Sequence, residues 1–264
     1  MKFRLKKEFQ NSQIFCKDKS GNEVLITSAD FNDYFAELML ANNQGHLIEL
    51  NAMYEQMLID EKKNFSTSYG RCYCINLRAS TDRLETTKRN AKKERVTFRR
   101  WEATNTEGIS QTTYLKATEI AALRSHKAIL EHSLSEGLES VFIIEDDVDF
   151  TDNFKQKLVK CLAELPHDWE GLHLGGESPN GSLLHYSPNL FKCLASWGGY
   201  GYIVNKRVIP KLIEAISQEK MPVDTYYARM MPEMKWYKSK EMLVKHLAGY
   251  STIQKKHVDY KHLY

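Results

Sequence analysis

No segment of this chain approaches the ~20 apolar residues that a bilayer-crossing helix needs. Met1 to Gln10 carries basic residues with no apolar run behind them, so neither a spanning helix nor a secretory leader is expected, and the expected address is cytoplasmic. Cysteine is scarce: Cys16, Cys72, Cys74, Cys161 and Cys193 are odd in number and include no CxxC pair. Neither a disulfide framework nor a cysteine zinc site is thereby signalled, and reduced, partly buried thiols are expected. Excess charge of one sign is also missing, since 37 Lys and Arg oppose 34 Asp and Glu for a net +3. Composition alone therefore does not establish a nucleic-acid or membrane partner, though an anionic partner stays open. What is present is ample apolar material: 42% of 264 residues suffices for one large domain, or that domain with a small appendage.

The pattern divides the chain into residues 1–68, a small α+β unit of unassigned role, and residues 69–264, an α/β domain. In the first unit, Gln13 to Lys17 and Glu23 to Thr27 are β-type runs around a polar Gly-Asn turn. Ser28 is placed to cap a helix with Phe31, Phe35, Leu38 and Met39 at spacings of three and four. A second apolar stretch runs from Ile48 to Leu58, and Asp60 to Ser68 has linker composition. From Arg71 onward strand-like and helix-like runs alternate, the signature of an α/β layer fold. Strands are expected at Cys72 to Leu77, Val96 to Trp101, Ser140 to Ile144, Gly171 to Leu174, Leu190 to Leu194 and Tyr200 to Val204. Helices are expected at Thr81 to Arg95, Ala117 to Glu136 and Lys206 to Ser217.

The chemistry concentrates where the apolar run Val141 to Ile144 passes directly into Glu145, Asp146 and Asp147. A continuously apolar, β-branched run predicts a central strand covered on both faces, and ligands of open α/β sheets bind beyond the carboxyl ends of such strands. Three adjacent carboxylates repel one another, and a hard cation such as Mg²⁺ or Mn²⁺ would remove that cost. An extended backbone would place Glu145 and Asp147 on one side and Asp146 on the other, making Asp147 the first choice as direct ligand and Glu145 its partner. An acidic loop capping a helix that starts near Thr151 to Asn153 accounts for the same residues equally well.

Several further motifs make the chain resemble glycosyltransferase family 25, which includes lipopolysaccharide galactosyltransferases and the galactosyltransferase domains of collagen-modifying enzymes. Ile75, Asn76 and Leu77 followed by Asp82 and Arg83 resemble the opening strand and donor-binding turn of that family. Trp101, Glu102 and Ala103 resemble the next strand end, and Glu119 to His126 its Glu, Gly-Cys, Ser-His helix, with Ala121 and Ala122 replacing Gly-Cys. Ile144 to Val148 matches the Glu-Asp-Asp-Val hallmark. Gly199 to Tyr202, Pro222 to Asp224 and Ser251 to Ile253 resemble the later glycine-aromatic, Pro-Val-Asp and Ser-x-Ile segments. The resemblance implies a GT-A-like nucleotide-sugar-binding fold, a UDP-sugar donor with galactose the first guess, Mn²⁺ or Mg²⁺ at Glu145, Asp146 and Asp147, and inversion at the anomeric carbon. It implies donor contacts from Asn76, Leu77, Arg83, Ser125 and His126.

Inversion in one displacement needs a general base, for which Asp224 is the first candidate and Glu177, after Gly175 and Gly176, the second. Asp224 serves equally as a helix cap, and His126 as a hydrogen-bonded core histidine. Arg83 and Arg78 are placed to grip phosphate or to be solvated helix-face residues. Trp197, Gly199 and Tyr202 make a candidate acceptor platform, with a core tryptophan beside a turn the plainer alternative. His246 lacks the spacing partner that would mark it as a ligand. The expected acceptor is a saccharide. Basic residues at Lys92, Lys93, Arg95, Arg99, Arg100, Lys235, Lys238, Lys240, Lys255 and Lys256 interleave with Phe98, Trp101, Trp236 and Tyr237, which leaves a hydroxylated DNA base as an alternative acceptor. The alternative of a different class is a catalytically silent binding module.

Overall fold

The computed structural model describes residues 3–18, 20–29, 31–50, 70–251 and 256–258. Among them, no helix is long and apolar enough to cross a membrane. All five cysteines are free and buried.

The amino-terminal residues form β1 (Phe3–Leu5), β2 (Ile14–Lys17), β3 (Glu23–Ile26), α1 (Asp33–Ala41) and β4 (Ile48–Leu50). β2 and β3 make the expected antiparallel hairpin. α1 starts later than Ser28 would have it, because the Asn32 side chain accepts the Phe35 amide at 3.2 Å and caps the helix there. Phe3, Ile14, Ile26, Met39 and Ile48 make a core of their own, against which Ala163 and Tyr186 of the following region pack. The apolar stretch beyond Leu50 and the Asp60 to Ser68 segment lie outside the described residues.

The larger region contains β5 (Arg71–Asn76), α2 (Thr81–Lys93), β6 (Arg99–Glu102), α3 (Ala117–Ser135), β7 (Ser140–Glu145), β8 (Val148–Phe150) and α4 (Phe154–Glu164). It continues with β9 (Gly171–His173), β10 (Leu183–His185), β11 (Leu190–Cys193), β12 (Gly201–Asn205), α5 (Ile209–Ile216), α6 (Val223–Met230), β13 (Trp236–Ser239), β14 (Val244–His246), β15 (Gly249–Ser251) and β16 (Lys256–Val258). Eight strands form one mixed sheet in the order β10-β11-β13-β9-β12-β7-β5-β6. β5 runs parallel to β6 and β7, whereas β12 is antiparallel to both β7 and β9.

Strand alternation sorts the core into two layers. Phe142 and Ile144 join Cys72, Cys74, Leu84, Phe154 and Leu158 on the face covered by α2 and α4. Val141 and Ile143 join Tyr73, Ile75, Ile120, Leu123, Leu212 and Tyr227 on the face covered by α3, α5 and α6. β7 is therefore buried on both sides, which is why its sequence is a continuous apolar run.

The second layer contains a buried aromatic group. Trp236 fills space beside Gly171, where an added Cβ would lie 2.4 Å from its ring. Its indole Nε1 donates to His173 Nδ1 at 2.7 Å. An indole can only donate, so Nδ1 must accept and the proton of the neutral imidazole sits on Nε2. Burial, with the nearby charge of Lys238, pushes the His173 pKa down to about 3. The unfolded chain, with an ordinary histidine near ~6.5, takes up a proton the native state refuses, so stability falls with pH across that interval by roughly 1.4 kcal/mol per unit. Urea denaturation at pH 7, 6, 5 and 4 should show His173→Gln losing less stability on acidification than wild type; equal slopes would contradict this.

Candidate functional site

β7 delivers Glu145 at its carboxyl end, and the chain then turns at Asp146 and Asp147 before β8 begins. The extended backbone expected through these residues is thus replaced by a turn. Glu145 continues the strand alternation toward α3. There, His126 Nε2 lies 3.7 Å from Glu145 Oε1, while His126 Nδ1 is 2.8 Å from the Tyr202 hydroxyl. Burial works to raise the Glu145 pKa, but the His126 imidazole, with the charges of His246 and Arg83, outweighs it and holds the carboxyl below its ordinary value.

Asp146 turns the other way and is almost fully buried. Its carboxylate accepts from Asn76 Nδ2 at 2.6 Å and pairs with Arg83, and its backbone carbonyl accepts from the Thr87 hydroxyl at 2.8 Å. Burial raises its pKa to about 6 despite the arginine. Asp146 thereby locks the turn to β5 and α2, and lies outside the group of ligand atoms that converge on one point.

That group is Glu145, Asp147 and His246, whose ligand atoms all lie within 4.8 Å of one another. β14 pairs with β8 in a two-stranded ladder that sets His246 opposite Val148, and the Leu247 amide donates to the Asp147 carbonyl at 2.7 Å. His246 Nε2 is 2.9 Å and Arg83 is 2.7 Å from Asp147 Oδ2. Burial disfavours the His246 imidazolium, yet the hydrogen bond and charge of Asp147 and the charge of Glu145 raise its pKa. The ring stacks on Tyr200, centroids 4.7 Å apart. Asp147 Oδ1 is buried and makes no hydrogen bond among the described residues. Two carboxylates, one with an oxygen left over, and an imidazole fit a divalent cation such as Mn²⁺, which accepts mixed oxygen and nitrogen donors. The lone His246 carried little signal in the sequence because its partner is 99 positions away and the β8–β14 ladder was not foreseen.

Beside this cluster a pocket is lined by Ile75, Leu77, Thr104, Thr118, Ala121 and His126, together with Arg83 and Glu145. Leu77 and Arg83 line this pocket. Asn76 and Ser125 instead hold the walls. Asn76 bonds Asp146, the Ser80 carbonyl and Arg100; the Ser125 hydroxyl donates to the Ala121 carbonyl and accepts from the Thr104 amide at 2.9 Å. Arg78 is exposed.

On the other flank, Asp224 sits in the first turn of α6, one residue inside its start, and accepts the Gly198 amide at 3.2 Å. Burial raises its pKa, with Glu145 adding to the shift and His126 opposing it. Glu177 is exposed and exchanges two backbone hydrogen bonds with Trp197, itself 38% exposed. Gly199 is buried against Val223 and His126. Tyr202 departs from the platform reading: it is fully buried, its hydroxyl linking His126 and Tyr227, because its position on β12 faces α3 and α6.

The fold dismantles part of the basic-aromatic grouping that suggested DNA, while Lys92, Lys93, Arg95, Arg99 and Arg100 stay exposed. Trp236 and Lys238 are buried, Tyr237 packs on Tyr186, Trp101 on Tyr73 and His132, and Lys235 pairs with Asp168. Lys255 lies outside the described residues.

The fold thus presents a mixed α/β sheet with acids at the carboxyl end of a parallel strand and a pocket beside them. Residues 70–178, from β5 to the loop after β9, match the model of Glycosyltransferase family 25 (LPS biosynthesis protein). Procollagen galactosyltransferase 2 of Homo sapiens is 30% identical over 117 residues, 41% of this chain and 18% of that protein. The probable inactive glycosyltransferase 25 family member 3 of Bos taurus is 27% identical over 122 residues, 44% of this chain and 20% of that protein. The matched stretch is thus a fifth or less of either relative. Among solved structures, a glycosyltransferase involved in glycosylation of the major capsid of PBCV-1 aligns with 12% identity and a TM-score of 0.45, covering 70% of this chain and 95% of that one.

Among the described residues, Asp147 is the one carboxylate that pairs with both Arg83 and His246 and keeps a buried oxygen without a hydrogen bond. Titration calorimetry with Mn²⁺ should show Asp147→Asn binding at least tenfold more weakly than wild type, about 1.4 kcal/mol, and Asp146→Asn much less affected. Equal losses in both would contradict the division of roles.

Proposed function

We propose that this chain is an active, metal-dependent glycosyltransferase that moves a hexose, galactose first, from a UDP-sugar to a hydroxyl of a saccharide acceptor with inversion. The observation that carries this reading is the convergence of Glu145, Asp147 and His246 beside a pocket within the family-matched segment. The galactosyltransferase relative supports the choice of sugar.

Glu145, Asp147 and His246 are the residues to hold a divalent cation, which when bound supplies Lewis-acid stabilisation of a departing diphosphate. Arg83, already between Asp146 and Asp147, offers charge-assisted donors to the same phosphates. Leu77 and the threonines of the pocket wall receive the nucleoside. Asp224, on the opposite flank, takes the proton of the acceptor hydroxyl. Its raised pKa makes it a stronger base than a solvated aspartate, and its hydrogen bond from Gly198 fixes the carboxylate. Trp197 and Glu177 border the acceptor side, with the indole offering a flat apolar face to a sugar ring.

The inactive-named relative supports the rival reading, a silent binding module, so turnover has to be measured directly. With Mn²⁺ present, UDP-galactose should raise the melting temperature and be slowly hydrolysed to free sugar, and Asp147→Ala should lose both effects. Asp224→Asn should keep the thermal shift while transfer to acceptor falls about 10²–10⁴-fold. A thermal shift with no turnover in wild type would favour the binding module. Transfer unaffected in Asp224→Asn would remove it as the base.

A further inference from the structure

The Lys238 ammonium is buried in the middle of the sheet, where a charge is costly unless its donors are satisfied. It is satisfied by two loops at once. Lys238 Nζ donates to the Gly176 carbonyl and to the Ser178 hydroxyl at 2.9 Å in the loop after β9, and to the Ser196 hydroxyl at 3.2 Å in the loop before β12. These loops are joined above it by the reciprocal Glu177–Trp197 hydrogen bonds at 2.9 and 2.8 Å, and Ser196 Oγ also donates to the Glu177 carbonyl. Gly176 adopts φ +91°, and a Cβ there would lie 2.1 Å from the Trp197 carbonyl, so the two loops touch backbone to backbone. Asp224 holds Gly198, and the Tyr200 hydroxyl accepts the Gly176 amide at 2.6 Å. An ammonium with three donors suits this junction, where acceptors converge from a carbonyl and two hydroxyls. Burial lowers its pKa to about 8, consistent with a desolvated site in which Cys193 and Glu177 oppose the shift.

We propose that Lys238 is the positioning residue of the acceptor side, clamping the Gly176–Ser178 and Ser196–Gly198 loops in the register that presents Glu177 and Trp197 to the incoming hydroxyl compound. This rests on the transferase reading above for its functional consequence, though not for the clamp itself. Lys238 touches neither the carboxylate cluster nor the nucleotide pocket, so its loss should separate acceptor recognition from donor chemistry.

The test compares wild type, Lys238→Met and the double variant Ser178→Ala/Ser196→Ala, which removes the two hydroxyl acceptors and serves if the methionine variant does not fold. Hydrogen exchange resolved to single amides should show protection at Glu177 and Trp197 falling at least tenfold in both variants, with β5 and β7 amides unchanged. With methyl β-galactoside as acceptor probe, KM should rise at least fivefold, while hydrolysis of UDP-galactose without acceptor stays within twofold of wild type. Unchanged exchange at Glu177 and Trp197 would overturn the proposal, as would donor hydrolysis falling in step with transfer. If wild type neither hydrolyses nor transfers, the transferase reading fails and the exchange comparison alone decides whether Lys238 is the clamp.

Discussion

The constraint on which this structure depends is that three consecutive carboxylates leave a strand buried on both faces. In water such a run costs little; at the end of β7 it must be compensated group by group. Glu145 is answered by His126 from α3, Asp146 by Asn76 from β5 and Arg83 from α2, and Asp147 by Arg83 and by His246 from β14. Four elements are thereby drawn to one point. The turn after Glu145 gives each carboxylate its own partners, so one acid becomes a strut and two remain available to a cation.

The same point separates two flanks of the site. Toward β5 and α3 lies the pocket of small and hydroxyl-bearing residues, its walls tied by Asn76 and Ser125. Toward α6 lie Asp224, Gly198 and the joined loops over Lys238. Tyr200 connects the halves, with its ring against His246 and its hydroxyl on the Gly176 amide. Buried polar residues here hold loops that carry exposed ones, which is how a rigid sheet lends precision to irregular segments.

Much of the α/β frame was legible because its signals are local. The run Val141 to Ile144 is apolar without alternation because both faces of β7 are covered, and the stripe of α3 is spaced to meet the second core layer. The acids after that run stood out for the same reason, since nothing in a central strand accounts for them. Strands β8, β10, β13 and β14 were not foreseen: three of the four have only three residues, too few for a period to register. His246 and Lys238 lie on two of these strands, so their partners were not legible from their neighbours in the chain.

By itself, then, the sequence determined the layer architecture, the strand that ends in carboxylates and the family resemblance, because each is written in neighbouring residues. Only the tertiary structure decided which acid faces which way, that a histidine 99 positions on completes the cluster, that Tyr202 is core and not platform, and that Trp236 and Lys238 are buried. The physical reason is that a ligand set is a coincidence of side chains in space. Such coincidences are made by strand pairing and turns between distant segments, whose energies come from burial and hydrogen bonds that no short stretch of chain contains.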